Sequence, residues 1–519
     1  MTEQFNKFRD FFFKRGVIYA FTVVAVFAPA INYAQRMCYV FADDLLFKGF
    51  SYILLGLMIA NALLMLSLSF WVFKGRDIRT IALKRLYIAG ACLSVFLFLL
   101  NSVFVIMSFE DTVVYLMYFL RELPYLIALF AGAFIILVYP EIKKEKRKII
   151  SVILTALLVA GIFFSAFEVK FFSFSSEPVV FDSGAGYNIV FSCNANSTGF
   201  VEYSYGGKEY KVYDNINGKI NVGRIHTVFV PYAHLDNNSY TVSGQKVIDE
   251  LGYGGTMGKA LKSGSYNFRN NTGLGCNIIA LNDWHIEDGR MLKAASNLDK
   301  PDMVIIGGDF CNALNDIKDI IKHLLMPISS VTKGSVPVIF CRGNHETRGE
   351  EAKALSRYLG YDNFYYQISK GDVNFIILDS AEDKADSHPE YGGLADFQNL
   401  RIRETEWLKG LPPSPKAYNI AICHDPAFHI DDNAAEWEEE LLRLNVNLML
   451  SGHSHDSKIV RDKSSILTVL CGGRTEKEIS GREKKVFIAS QINIYGDTVH
   501  IRSVDQLGNI YLDEDLVLA

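Results

Sequence analysis

Met303-Val304-Ile305-Ile306-Gly307-Gly308-Asp309-Phe310-Cys311-Asn312 is a short apolar run, a glycine pair, and then a carboxylate and an asparagine. The run suits a strand buried on both faces. A backbone without Cβ can turn tightly around a bound group. The same order recurs on both sides. Upstream, Asn277–Leu281 ends in Asn282-Asp283-Trp284-His285. Downstream, Val336–Phe340 leads to Gly343-Asn344-His345-Glu346, Asn419–Ile422 to His424-Asp425-Pro426, and Asn447–Leu450 to Ser451-Gly452-His453-Ser454-His455. Each signal alone is ordinary, since Gly-Asp and Gly-Asn pairs are common turn formers. Five in order, alternating with helical patterns, predict a layered α/β domain. Its Asp, Asn and His residues would gather just past the strand C-termini, where open α/β sheets bind ligands. Oxygen and imidazole donors without an obligatory thiolate suit Mn, Fe, Zn or Co rather than a structural zinc.

On these motifs, residues 276–500 resemble the calcineurin-like metallophosphoesterase superfamily, whose motifs read D-x-H, G-D-x-x-N/D/Y, G-N-H-E/D, H and G-H-x-H. The resemblance implies a four-layer α/β/β/α sandwich around two divalent metal ions. By it, Asp283, His285, Asp309 and His455 would bind the first ion. Asp309 as a bridge, Asn344, His424 and His453 would bind the second, and His345 would act near the leaving group. A module like fibronectin III before the catalytic domain is similar to that of purple acid phosphatases. Their tyrosine ligand to ferric iron would fall at Asn312, and they lack the histidine found at His285, so a divalent pair is expected. Two such ions ~3.5–4 Å apart would hold a bridging hydroxide and clamp a phosphoester for in-line attack. His345 would protonate the departing alkoxide. Arg342 and Arg348 flank that motif as candidate phosphate contacts, while His388 and His429 stand in polar loops.

Outside this region the chain changes character. At ~150 residues per domain, its 519 residues suggest three domains, and an apolar share of 50% excludes a disordered chain. Residues 1–175 hold 18 Lys and Arg against 11 Asp and Glu, which leaves −12 for the remainder out of −5 overall. That balance gives no reason to expect nucleic acid as a partner. All eleven histidines follow residue 225. Five apolar stretches, Gly16–Ala34, Gly49–Phe73, Leu86–Ser108, Glu122–Tyr139 and Ile149–Phe167, approach the ~20 residues of a bilayer-spanning helix. Lys and Arg alternate 14 to 4 between their connections, which predicts a cytoplasmic N-terminus and an extracytoplasmic catalytic domain.

The expected organisation is a five-helix membrane region over 1–172, a small β-sandwich over 173–270 and the catalytic domain over 271–519. In the middle part six short strands, Tyr187–Ser192, Phe200–Tyr205, Lys208–Tyr213, Lys219–Val222, Thr227–Tyr232 and Ser239–Val242, are separated by turn residues. Gly206-Gly207 signals a hairpin there. Gly252–Lys259 fails as a phosphate loop, because Tyr253 and Ala260 replace required residues. The eight cysteines define no disulfide framework. The expected function is a multi-pass, membrane-anchored hydrolase of phosphate mono- or diesters, with the lipid bilayer as a partner. Two alternatives are a hydrolase of a lipid-linked phosphate presented by the helices, and a membrane sensor with a binding-only phosphoesterase domain.

Overall fold

A computed structural model describes residues 172–518 apart from 251–253, 272–274, 383, 431–433, 480–481 and 497, together with Gly56, Ile59, Ala60, Leu63 and Ser67. The β-rich segment supplies β1 (Val179–Asp182), β2 (Gly186–Tyr205), β3 (Lys208–Tyr213), β4 (Gly223–Pro231) and β5 (Ser239–Glu250). The two strands expected at Tyr187–Ser192 and Phe200–Tyr205 are one 20-residue strand, β2. Its register against β4 shifts between Ser192 and Ser197. The Gly206-Gly207 turn closes the β2–β3 hairpin at Tyr205 and Lys208, with both glycines at positive φ (58° and 75°). This is the twist that two-residue hairpins require.

The phosphoesterase-like segment follows with β6 (Asn277–Leu281), β7 (Met303–Ile306) and β8 (Pro337–Phe340). A second group is β9 (Tyr366–Lys370), β10 (Val373–Leu378), β11 (Tyr418–Cys423), β12 (Leu448–Ser451), β13 (Ser457–Val460) and β14 (Leu467–Cys471). The long C-terminal strands are β15 (Arg482–Tyr495), β16 (Thr498–Asp505) and β17 (Ile510–Val517). One sheet runs β17-β16-β15-β6-β7-β8-β1-β2-β5, and a six-stranded sheet runs β9-β10-β11-β12-β14-β13. Strands β6, β7, β8 and β1 are mutually parallel. So are β10, β11, β12 and β14.

Alternation along the strands builds the layers. Phe375, Ile377, Ile420, Ile422, Leu448 and Leu450 share one buried core with Ile279, Val304, Ile306 and Phe340 of the facing sheet. The intervening Ile376, Leu378, Ala421, Cys423 and Met449 pack instead with Leu408, Trp437 and Leu441. Those three lie on α2 (Phe397–Gly410) and α3 (Ala434–Arg443), once α1 (Asp288–Ala295) is counted first. Met291, Ala294 and Ala295 of α1 join the larger core. The order is therefore helix, sheet, sheet, helix.

The β-rich segment is joined to this sandwich by main-chain pairing. Val180 and Phe181 of β1 pair in parallel with Pro337 and Val338 of β8. A buried polar contact reinforces the join: Lys370 Nζ lies 3.2 Å from Asp182 Oδ2, against the rings of Tyr187 and Tyr232. Burial pushes Asp182 up and Lys370 down in pKa, while each one's charge opposes the other's shift.

The expected fold class needs correction. The described residues are mostly sheet with an α/β layer, and no helix among them is long and apolar enough to cross a membrane. Apolar strands such as Met303–Ile306 are four residues long, far below the ~20-residue helix a bilayer core demands. The five-span bundle and the multi-pass localisation therefore do not stand. The stretches on which they rested, Gly16–Ala34 to Ile149–Phe167, lie outside the described residues, apart from Gly56, Ile59, Ala60, Leu63 and Ser67 within Gly49–Phe73.

Candidate metal centre

Three parallel strands of one sheet and two of the other release their chains toward one site. β6 leads to Asp283 and His285, β7 to Asp309, β8 to Asn344 and His345, β11 to His424, and β12 to His453 and His455. The loops are bound to one another through the backbone. Asp283 N–H donates to the Gly308 carbonyl at 2.9 Å, His285 N–H to that of Asp309 at 3.1 Å, and Gly452 N–H to that of His424 at 2.9 Å. This packing leaves no room for side chains at the glycines. A Cβ on Gly308, whose φ is +94°, would lie 2.5 Å from Gly343 N and 2.8 Å from His424 Nδ1. One on Gly452 would meet Asp283 Oδ2 at 2.6 Å.

The donors themselves are held in unusual backbone conformations. Asp283, His285, Asp309, His453 and His455 all have positive φ, between 38° and 61°. Such conformations cost about 1–3 kcal/mol each in non-glycine residues and cluster where function demands them.

Side-chain donor atoms converge. Asp283 Oδ1 is buried and has no hydrogen-bond partner, yet it faces His455 Nε2 at 3.3 Å. His424 Nδ1–H donates to the Gly307 carbonyl at 2.6 Å, so Nε2 points inward. That Nε2 is 3.2 Å from Asn344 Oδ1 and 3.3 Å from Asp309 Oδ2. His285 Nε2 lies 3.2 Å from His455 Nε2 and 3.6 Å from Asp309 Oδ2. Mutually facing acceptors in a buried site are satisfied by cations. Three groups, Asp283–His285–His455, His285–Asp309–His345 and Asp283–Asp309–His424, each bring their donor atoms within 4.8 Å of one another. Asp283, His285 and Asp309 each enter two of them.

Electrostatics points the same way. Burial would push His424 down, but the charges of Asp309 and Asp283 outweigh it and raise its pKa to about 10. Burial likewise opposes the upward shift that Asp283 gives His455. Asp309 is driven up by burial and more strongly down by His424 and His345, and ends well below the usual carboxylate range. His285 is lowered by burial. Buried carboxylates facing imidazoles thus make a site that favours positive charge.

The structure also places the remaining candidates. His453 stands beside His424 with ring centroids 5.4 Å apart, its N–H donates to Asp283 Oδ2 at 2.9 Å, and its Nε2 is 3.9 Å from Asp425 Oδ1. It lies outside the three groups above. His345 Nδ1–H donates to the Asn312 carbonyl at 2.9 Å, which leaves Nε2 on the side of Asp309 Oδ2, 3.9 Å away. Arg342 turns from the centre and makes a two-point pair with Asp379 at 3.0 and 2.6 Å. Arg348 stays beside His345, its Nη1 3.2 Å from His345 Nε2. His388 and His429 lie in loops, where His388 accepts from Glu390 N–H and His429 pairs with Asp425 at 2.9 Å.

Two residues carry more of the site than the motifs suggested. Glu346 is fully buried and accepts from the N–H groups of Asp309, Phe310 and Gly343 at 2.8, 2.9 and 2.8 Å. It ties the β7 and β8 loops together; burial and then the Asp309 charge raise its pKa to about 8. Its position three residues after Gly343 has the spacing of a capping box, which was the available signal. Glu382, beyond β10, sits under Arg348 and had no motif to announce it.

Residues 276–457 match the family model described as calcineurin-like phosphoesterase. No curated protein matches the chain. Among solved structures, the chain is similar to a conserved uncharacterized protein, a predicted phosphoesterase, from Streptococcus pneumoniae TIGR4, with 13% identity over 47% of this chain and 97% of that one and a TM-score of 0.25. Vacuolar protein sorting 29 from Cryptosporidium parvum has 14% identity, 47% and 99% coverage and a TM-score of 0.26. Vps29 from Entamoeba histolytica complexed with zinc has 10% identity, the same coverages and a TM-score of 0.23. The matched segment contains every donor of the cluster, from Asp283 to His455. Residues 276–457 are thus a calcineurin-like phosphoesterase domain, and the chain is a metal-dependent phosphoesterase.

Proposed function

We propose that the chain hydrolyses phosphate mono- or diesters with two divalent ions. Asp283, His285, Asp309 and His455 would hold one, and Asp309, Asn344, His424 and His453 the other. When bound, such ions supply Lewis acidity toward phosphoryl oxygens and a water nucleophile at neutral pH. The observation that carries this reading is the buried convergence of acceptors: Asp283 Oδ1 without a partner, and His424 Nε2, Asn344 Oδ1 and Asp309 Oδ2 facing one another.

The protein's own groups supply the rest. The Gly307 carbonyl keeps His424 Nε2 aimed inward, and the Asn312 carbonyl does the same for His345 Nε2. His345 then delivers a proton to the departing oxygen, which an alkoxide needs most. Arg348 is the phosphate-contacting arginine in this reading, because its Nη1 lies beside His345 and its side chain is 35% exposed, whereas Arg342 turns away to Asp379. Asp309→Asn in the full chain tests the assignment. Its bound metal and its turnover of an alkyl phosphate should fall together, since one carboxylate serves both positions. Undiminished metal content and turnover would remove Asp309 from this role.

A further inference from the structure

Glu382 touches none of the strand-end donors closely enough to ligate with them, yet it is almost wholly buried next to them, with 1% of its side chain exposed. Its carboxylate accepts from Thr347 Oγ1 at 2.8 Å and from Arg348 Nε and Nη2 at 2.8 and 2.9 Å. Its Oε2 also faces Asn344 Nδ2 at 3.5 Å. Arg348 in turn lays Nη1 against the His345 ring, 3.3 Å from Nδ1 and 3.2 Å from Nε2. One carboxylate therefore reaches a metal-facing amide on one side and the leaving-group histidine on the other.

The amide gives this arrangement its consequence. With Oδ1 inward, Asn344 offers an acceptor to a cation shared with His424 and Asp309, and its NH2 turns toward Glu382. Reversed, the NH2 would donate to His424 Nε2 and Asp309 Oδ2 at 3.2 Å each, and the oxygen would accept from Arg348 Nη2 at 2.9 Å. The reversed amide fills the cation's place with its own N–H groups. Arg348 Nη2 stands 2.9 Å from the outward amide position and as a donor favours an oxygen there, so the inward oxygen depends on a cation on its inner side and on the Glu382 carboxylate, which offers the outward NH2 an acceptor at 3.5 Å. Groups behind a metal ligand commonly fix its orientation, and their loss costs about 10–100-fold in affinity or activity.

We propose that Glu382 is a positioning residue that sets the Asn344 amide for metal binding and, through Arg348, holds His345 for proton donation. The inference rests on the phosphoesterase reading above. The test uses the full chain, Mn2+ titration, and paired kcat and KM values for an alkyl and a nitrophenyl phosphoester. Glu382→Gln keeps the shape and removes the charge. Its Mn2+ affinity should fall about 10–100-fold, with kcat falling more for the alkyl than for the nitrophenyl ester. Combined with His345→Ala, it should add little further loss on the alkyl ester, as groups acting through one another do. Unchanged Mn2+ affinity and an unchanged ester ratio would overturn the proposal, and so would full additivity with His345→Ala. If Glu382→Gln lacks a cooperative thermal transition, Arg348→Gln decides: a shifted ester ratio supports the relay and an unshifted one overturns it. A wild-type chain that neither binds Mn2+ nor cleaves either ester would overturn the phosphoesterase reading and this inference with it. An active wild type with an indifferent Glu382→Gln overturns this inference alone.

Discussion

His345 and His453 are both histidines of strand-end loops, but their surroundings differ. His345 has its Nδ1–H held by the Asn312 carbonyl and Arg348 against its ring, whereas His453 is fixed through its backbone N–H to Asp283. In the proposed mechanism the first arrangement aims a proton, while the second places a ring beside His424. His345→Ala should therefore keep nearly full metal content while turnover of alkyl esters falls ~10²–10⁴-fold. The loss should shrink for a nitrophenyl ester, whose leaving group departs unprotonated. Metal analysis alongside paired kinetics checks this, and equal damage to both esters would make His345 a structural residue or a ligand. The convergence of Asp283, His285, Asp309, His345, His424 and His455 was legible at this scale because each is a metal-binding residue type directly after an apolar strand. The groups that orient them were not. Asn312 acts through a carbonyl that any residue would supply, and Glu382 follows β10 with no glycine or histidine nearby to mark it.

Among the elements, β6, β7, β8, β11 and β12 were legible from their unbroken apolar runs, and the β2–β3 hairpin from Gly206-Gly207. The single strand spanning Gly186–Tyr205 was not. Its central Asn194-Ala195-Asn196-Ser197 reads as a turn, yet the strand continues through a register shift there, with Ser197 pairing to both β4 and β5. The Lys370–Asp182 contact between β9 and β1 was equally hidden, since a lysine at a strand end looks like a solvated residue. Here it is 11% exposed beside a fully buried carboxylate. Lys370→Ala should lower stability by about 3–5 kcal/mol, because the partner charge stays buried and unpaired. Replacing both members, as Lys370→Met with Asp182→Leu, should recover most of that loss. Urea denaturation of the full chain measures both, and a loss under 1 kcal/mol for the single variant would show that Asp182 escapes to solvent.

For the whole molecule, composition and charge predict regions of different character, but the membrane architecture drawn from the apolar runs does not stand, since no helix among the described residues is long and apolar enough to cross a bilayer. A hydropathy window sees only that residues are apolar, and the described fold satisfies its own apolar runs with short strands buried between layers. Nor did any pattern announce that Val179-Val180-Phe181-Asp182 would complete the phosphoesterase sheet. Four residues carry little periodicity, and their partner lies far downstream at Pro337–Phe340. A chain starting at residue 271 would leave β8 as an unpaired parallel edge, a template for association. It should elute as higher oligomers in size-exclusion chromatography where a chain starting at 172 does not, and a monodisperse short chain would show that β1 is dispensable. The same pairing sets a timetable during synthesis. At about 5–20 residues per second, β8 leaves the ribosome roughly 8–30 seconds after β1. Strand β2, which pairs antiparallel with β1 from Val179–Val190 to Asp182–Tyr187, emerges almost at once. The nascent chain can therefore hold β1 in a finished hairpin, with its outer edge already shaped, as a waiting seam onto which the later catalytic strands are laid.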